Sequence, residues 1–235
     1  IDDAFQSFYD NAWPFLKKNR IPFILFVSTE TVGNFGYMSL EEFKEIEKEN
    51  YAYIGNHSHS HDYFINLSNK VFLDDLEKAN KIFIEKIGYN PIYFSYPFGE
   101  YNYFIRDYIS KNFEFAFGQH SGVIDINKDK FELPRFPINE KYGDLDRFKF
   151  VIKLQPLQFK NLEPKNKFIK KKNNPPLFSV EFFKEQTNLN NINCYSDEGN
   201  KWNKSKIYFV DKSLKIEFRD KFKFRRGRIN CSLND

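Results

Sequence analysis

An α/β fold built on parallel strands, followed by a smaller antiparallel β unit, is what this sequence predicts. Three observations carry the prediction. Short, continuously apolar runs alternate with segments of helical period over roughly the first 150 residues. After about Tyr142 the chain turns Lys-, Asn- and Pro-rich and then breaks into short alternating runs. The residues able to do chemistry follow directly on apolar runs, as they do where sites are assembled at the carboxyl ends of strands.

Ile1 precedes Asp2 and Asp3 as the end of a strand would. Phe5 to Asn19 carries Phe5, Phe8, Ala12, Phe15 and Leu16 at helical period and closes on the cationic Lys17-Lys18-Asn19-Arg20. Pro22 to Val27 is apolar throughout, as a strand buried on both faces requires. Ser39-Leu40-Glu41-Glu42 is a capping box opening a helix with Phe43 and Ile46. Tyr51 to Ile54 is the next strand. Ser68 caps a helix whose face is Phe72, Leu76, Ala79, Phe83 and Ile87, and Gly88 is placed to end it in a left-handed conformation. Ile92 to Phe94 is a strand, Ser95 to Gly99 its loop, Tyr103 to Lys111 a helix and Phe113 to Phe117 a strand. Asp144 to Leu154 is a last helix, ended by Pro156.

Residues 1–155 therefore form the first domain, 156–176 a linker or long loop, and 177–235 a β-rich unit. The strands of that unit fall at Phe178–Phe182, Lys206–Val210, Leu214–Phe218 and Phe222–Phe224. No internal repeat or heptad is present. The opening at Ile1 without Met, and the ending at Asp235, read as cut ends, so a signal peptide before residue 1 is neither shown nor denied.

Composition sets bounds. Hydrophobic residues make up 41% and aromatic residues 19%, ample for a core. No apolar run reaches membrane-spanning length. A net charge of +4 is too small to argue for nucleic acid. Lys170 to Lys172 and Arg225-Arg226-Gly227-Arg228 read as solvated faces, with an anionic glycan or lipid head group as the alternative user. Cys194 and Cys231 can pair as a disulfide in an oxidising compartment or remain two buried thiols.

The chain has four histidines, and three of them, His57, His59 and His61, lie in one turn after the Tyr51 to Ile54 strand. Such a turn is either a prepared metal site or a histidine-rich surface loop. If the strand persists through them, the adjacent Asp2 and Asp3 point to opposite faces, so one can bind a cation while its neighbour stays free. His57 and His61 with one carboxylate make a three-ligand set that leaves a position for water. The free carboxylate can then act as general base.

Ile1-Asp2-Asp3, His57-Ser58-x-x-His61 and Phe94-Ser95-Tyr96-Pro97-Phe98-Gly99, in this order and spacing, resemble the motifs of polysaccharide deacetylases, the NodB-homology proteins of carbohydrate esterase family four. The resemblance covers residues 1 to about 155. It implies a distorted (β/α)7-type barrel and metal-dependent removal of N-acetyl groups from the amino sugars of an N-acetylated glycan. By that resemblance Asp2 is the general base, and Asp3, His57 and His61 bind zinc or a similar divalent ion. Tyr96, Pro97 and Phe98 then serve substrate and oxyanion, the peptide N–H near Phe98 as donor. It also implies a periplasmic, cell-envelope or secreted setting.

The chain departs from the pattern in two places. Many members have Arg where Ser95 stands; Arg135, in Leu133-Pro134-Arg135-Phe136-Pro137, is expected to supply that charge, or else is a surface arginine. The late Leu-x-His that supplies a general acid is not evident after residue 140. His120 can take that role or be a hydrogen-bonded loop histidine, and His59 should point away from the metal. The aromatic side chains of Tyr96, Phe98 and Tyr101 can stack on sugar rings or pack in the core. A glycan-binding protein that keeps the fold without full activity is the alternative reading.

Overall fold

The computed structural model describes residues 1–199 and 201–233, in two compact units, Ile1–Pro137 and Ile138–Asp235. In the first, a π-helical turn Phe8–Ala12 leads into α1 (Trp13–Asn19), followed by β1 (Phe23–Val27), α2 (Leu40–Glu47), β2 (Ala52–Asn56), α3 (Asn69–Ile87), β3 (Tyr93–Ser95), α4 (Tyr103–Asn112) and β4 (Phe115–Phe117). The strands form one parallel sheet in the order β1-β2-β3-β4. Ile1 extends it: its amino nitrogen donates to Ile24 O at 2.9 Å and its carbonyl accepts from Phe26 N at 2.8 Å, the parallel pattern that sets Ile1 opposite Leu25. At the other edge Leu133 bridges to Phe117.

Alternation along β1 decides which side each residue serves. Leu25 and Val27 enter a core with Ile54 of β2 and with Phe8, Trp13, Phe43, Ile46 and Phe83 from the helical segments. Phe26 points the other way, against Phe117 and under the Arg135 guanidinium. Gly55 makes room for it, since a Cβ there would collide with the Phe26 ring. A second core gathers Phe94 and Ala116 with Phe72, Leu76, Ile105 and Ile109 of α3 and α4.

The caps form as the sequence predicts. Ser39 and Glu42 make both halves of the capping box, Ser68 accepts from Val71 N, and Gly88 ends α3 at φ 97°. At that φ a side chain is disfavoured, hence glycine.

α1 is pinned to α2 through Glu45, which accepts from Tyr9 Oη at 2.6 Å, Lys17 Nζ at 2.9 Å and Trp13 Nε1 at 3.2 Å. The Tyr9 bond, then those of Lys17 and Trp13, lower the Glu45 pKa from 4.5 to about 2. A carboxyl depressed on folding stabilises fully above its unfolded pKa, and that contribution is lost as pH falls from 4.5 toward 2. Because Glu45 is 40% exposed, the worth is discounted to about 1 kcal/mol. Glu45→Gln should cost that much in denaturant unfolding at pH 7 and flatten the loss of stability between pH 5 and pH 3. A variant with the wild-type acid limb would show that Glu45 does not set it.

The second unit holds α5 (Leu145–Val151), β5 (Asn161–Glu163), β6 (Ser179–Glu181), β7 (Ile192–Asp197), β8 (Asn203–Lys204), β9 (Lys206–Val210), β10 (Ser213–Glu217) and β11 (Arg228–Leu233). Two antiparallel sheets, β5-β6-β10-β9 and β11-β7-β8, share one core of Val180, Phe182, Ile192, Cys194, Leu214 and Ile216. The helix read from sequence as the end of the first domain falls here, and the stretch read as linker contributes β5.

Phe222–Phe224 is not a strand. Both backbone groups of Phe222 are taken by the Asn174 side chain (Asn174 Nδ2 to Phe222 O 2.8 Å, Phe222 N to Asn174 Oδ1 2.9 Å), and its ring packs on Phe218. The alternation there reflects a clamped loop, and the last strand lies further on at β11. Cys194 and Cys231 face each other across β7 and β11 and are joined in a disulfide. Of the two readings left open by the sequence, pairing is the one realised. Closing a segment of 37 residues removes unfolded-state freedom worth about 3–4 kcal/mol.

Candidate metal centre

Each candidate group stands where a strand of the first unit ends. Asp2 and Asp3 follow Ile1; His57 follows β2 and continues its ladder, its N–H donating to Val27 O at 2.9 Å. Ser95 is the last residue of β3. Arg135 lies two residues past Leu133, whose backbone bonds to β4 and Gly118. Parallel strands end on one side, so residues far apart in sequence meet there.

One carboxylate oxygen of Asp3 lies 3.3 Å from His61 Nε2 and 3.6 Å from His57 Nε2. The three donor atoms are within 4.8 Å of one another. The hydrogen bonding decides the tautomer of His57. Its Nδ1 lies 2.7 Å from Ser95 O, and a carbonyl only accepts, so the proton is on Nδ1 and Nε2 presents a lone pair. That Nε2 is buried and finds no hydrogen-bond partner among the described residues. A buried, unpaired acceptor aimed at a carboxylate is costly unless a cation lies between them. Two imidazoles and one carboxylate suit zinc and similar divalent ions. The residues fit a metal.

Asp2 points to the other side of the turn. Arg135 grips it as a fork, Nη1 to Oδ1 at 2.8 Å and Nη2 to Oδ2 at 2.9 Å. Arg135 Nε is itself fixed by Gly118 O at 2.9 Å, and Ser95 Oγ sits 3.1 Å from Nη2. Burial pushes the Asp2 carboxyl up, but the Arg135 hydrogen bonds, His57 and the guanidinium charge outweigh it and hold the pKa at about 2. His57 is lowered, chiefly by burial, which favours the neutral ring a metal ligand needs.

The histidine turn is held from behind. Asp75 of α3 accepts from the backbone N–H of His59 (2.9 Å) and Ser60 (3.0 Å), and Ser58 Oγ accepts from His61 N at 2.9 Å. Ser28 Oγ donates to His57 O at 3.0 Å. His59 is buried with Nδ1 2.9 Å from Thr29 Oγ1, so it faces away from the ligand set and braces the loop after β1. Among the described residues eight non-glycine positions have positive φ, and five of them, Asp3, Ala4, Ser58, His61 and Phe98, belong to this site. Such conformations cost of the order of 1–3 kcal/mol each and persist where neighbours over-determine them. Strain is concentrated at the candidate chemistry.

The Tyr96-Pro97-Phe98 stretch divides. Tyr96 is fully buried, its N–H donates to Phe117 O at 3.0 Å and its hydroxyl to Phe131 O at 3.1 Å. Neither donor is left for a substrate, and its ring packs on Phe94 and Tyr101. For Tyr96 and Tyr101 the sugar-stacking alternative gives way to core packing. Pro97 is buried as well. Phe98 stays beside the ligands, at φ 58°, with its ring 4.6 Å from His61 and stacked on Tyr63 at 3.6 Å. His120 is exposed, its carbonyl accepting from Arg135 N at 2.9 Å and its ring lying against Gly118.

Sequence reasoning missed Ser95, which touches His57, Asp2 and Arg135, and Asp75, which carries the histidine turn. Ser95 was visible only as a departure from a motif. Asp75 had no signal beyond an acidic position on a helix.

A family model described as polysaccharide deacetylase matches residues 1–113. Among curated proteins, poly-beta-1,6-N-acetyl-D-glucosamine N-deacetylase of Staphylococcus aureus is 27% identical over 167 residues, covering 65% of this chain and 56% of the relative. The chain thus spans about half the length of the curated relatives it matches. Among solved structures, the Streptococcus pyogenes deacetylase PplD in complex with acetate aligns with a TM-score of 0.59 at 20% identity, over 66% of this chain and 68% of that one. That likeness is one of fold. IcaB from Ammonifex degensii aligns with a TM-score of 0.52 at 26% identity, over 60% of this chain and 66% of that one. The predicted fold class, a barrel-like α/β domain followed by an antiparallel β unit, is the one observed.

Proposed function

We propose that this chain, whose residues 1–113 match the polysaccharide deacetylase family model, is a metal-dependent hydrolase that removes acetyl groups from N-acetylglucosamine units of a glycan. The observation that supports this best is the pairing of an Asp3–His57–His61 ligand set with a separate carboxylate, Asp2, clamped by Arg135. Binding a glycan needs neither a metal nor a clamped base, so this pairing favours hydrolysis over the glycan-binding alternative. The curated relatives' named substrate, poly-beta-1,6-N-acetyl-D-glucosamine, gives the substrate class.

Asp3, His57 and His61 would hold a divalent ion such as zinc, which when bound polarises an amide oxygen and acidifies water. Asp2 takes the proton of the attacking water. With a pKa of about 2 it is always ionised but intrinsically a weak base, so Arg135 contributes aim rather than basicity. The Phe98 N–H, presented by its left-handed backbone, is the donor for the oxyanion. His57 and His61 face Asp3 and His59 faces Thr29; His120, exposed in the loop after β4, is the imidazole proposed to protonate the leaving amine.

Acetate release from N-acetylglucosamine oligomers, measured by coupled assay, tests the reading; no release from metal-loaded protein overturns it. His120→Ala should lower kcat by about 10²-fold and remove the alkaline limb of its pH profile. An unchanged profile would assign the acid elsewhere. The Cys194–Cys231 disulfide supports an oxidising setting at or outside the cell envelope. No described helix is long and apolar enough to cross a membrane.

A further inference from the structure

The net charge of +4 conceals a division. Residues 1–137 carry 14 Lys and Arg against 20 Asp and Glu, a net −6, whereas residues 138–235 carry 22 against 12, a net +10. The second unit is therefore a polycation with its own core, and electrostatics at this density attracts polyanions and repels polycations.

Its three-stranded sheet shows where a partner would lie. Ile192, Cys194 and Ser196 of β7, and Ile229, Cys231 and Leu233 of β11, face inward, the first set buried. Alternation then turns Asn193, Tyr195 and Asp197 outward, and with them Arg228, Asn230 and Ser232. The register sets Tyr195 between Asn230 of β11 and Lys204 of β8, with Ser232 opposite Asn193 and Arg228 opposite Asp197. Tyr195 is 43% exposed, and Trp202, two residues before Lys204, is 40% exposed. The face thus offers one open ring in the middle, flanked by Asn230 and Lys204, with Asn193 and Ser232 paired on one side of that row and Arg228 opposite Asp197 on the other.

We propose that this outer face of β11-β7-β8 binds an acidic polysaccharide, a chain of pyranose rings bearing carboxylates. A ring on Tyr195 would bury its apolar face. Asn193, Asn230 and Ser232 supply donors and acceptors for hydroxyls, and Lys204, with Arg228 beside Asp197, supplies the positive charge that meets carboxylates. Polymers of acyclic phosphodiesters give Tyr195 nothing flat to stack on. A membrane surface would favour an apolar stripe over three uncharged polar residues. The product of the proposed reaction carries ammonium groups and is repelled by a unit of net +10; that one step rests on the deacetylase reading. The second unit would then hold the chain to an anionic matrix while the first works on an uncharged polymer.

The full-length protein should be retarded in gels containing polygalacturonate and not in gels containing dextran. Tyr195→Ala should weaken that binding at least about tenfold, and Tyr195→Phe should restore it. Lys204→Gln and Arg228→Gln should reduce its dependence on salt. Acetate release from short soluble oligomers should be unchanged in all four, so failure of this proposal and failure of the deacetylase reading are told apart. The proposal is overturned if polygalacturonate is not bound, or if Tyr195→Ala, folded by circular dichroism, binds it like wild type. It is equally overturned if an oligothymidylate binds as tightly with the same dependence on Tyr195, which would assign the face to single-stranded nucleic acid.

Discussion

Asp2→Asn should cut acetate release by about 10²- to 10⁴-fold, the usual worth of a positioned general base, while divalent-metal binding is retained. Asp2 sits next to Asp3 in sequence, yet its two oxygens are committed to Arg135 Nη1 and Nη2 and not to the histidines. The amide keeps one acceptor for the Arg135 fork and presents a donor to the other, so the clamp loosens but the ligand set is untouched. Calorimetric titration with zinc separates the two effects. If Asp2→Asn retained wild-type activity, another group would be the base. Arg135→Lys, which keeps the charge but loses the fork, should fall between the two. The double variant should be no worse than Asp2→Asn alone, because the arginine acts through the aspartate.

The second large effect is loss of the metal. Dialysis against a chelator should abolish acetate release, and added zinc should restore it, if the ion proposed for Asp3, His57 and His61, a group that could hold one, drives the reaction. His61→Ala makes the cleaner variant. Its side chain is 25% exposed, whereas His57 is fully buried and carries the bond to Ser95 O. Removing one of three ligands should weaken zinc binding by at least about 10-fold, with unfolding stability in the metal-free state little changed. Undiminished activity in chelator would sink both the metal assignment and the reaction proposed from it. Near-wild-type zinc affinity in His61→Ala would remove only that residue from the set.

How much of this was legible beforehand depended on the range of the interactions. The helices and caps were read nearly to the residue, because Ser39 with Glu42, Ser68 with Val71, and Gly88 act within one turn. His57 and His61 were equally legible, being four apart and directly behind an apolar run. In the second unit the signal weakened. Phe222–Phe224 alternates like a strand but is held by Asn174, 48 residues away, and β11 with its Arg, Asn and Ser on the outer face lacked the apolar run that marks a strand.

By itself, then, the sequence determined the parallel α/β class, the separate β-rich end, and the local pair of imidazoles with two carboxylates to complete them. Only the tertiary structure decided which groups meet. It brought Arg135 onto Asp2 across 133 positions, put Ser95 between His57 and Asp2, and turned His59 toward Thr29. It also used up both donors of Tyr96 in the core and paired Cys194 with Cys231. The division has a physical cause: periodicity and capping are written in neighbouring residues. A hydrogen bond between strand ends depends on which strands lie side by side, and that is fixed by the packing of the whole sheet.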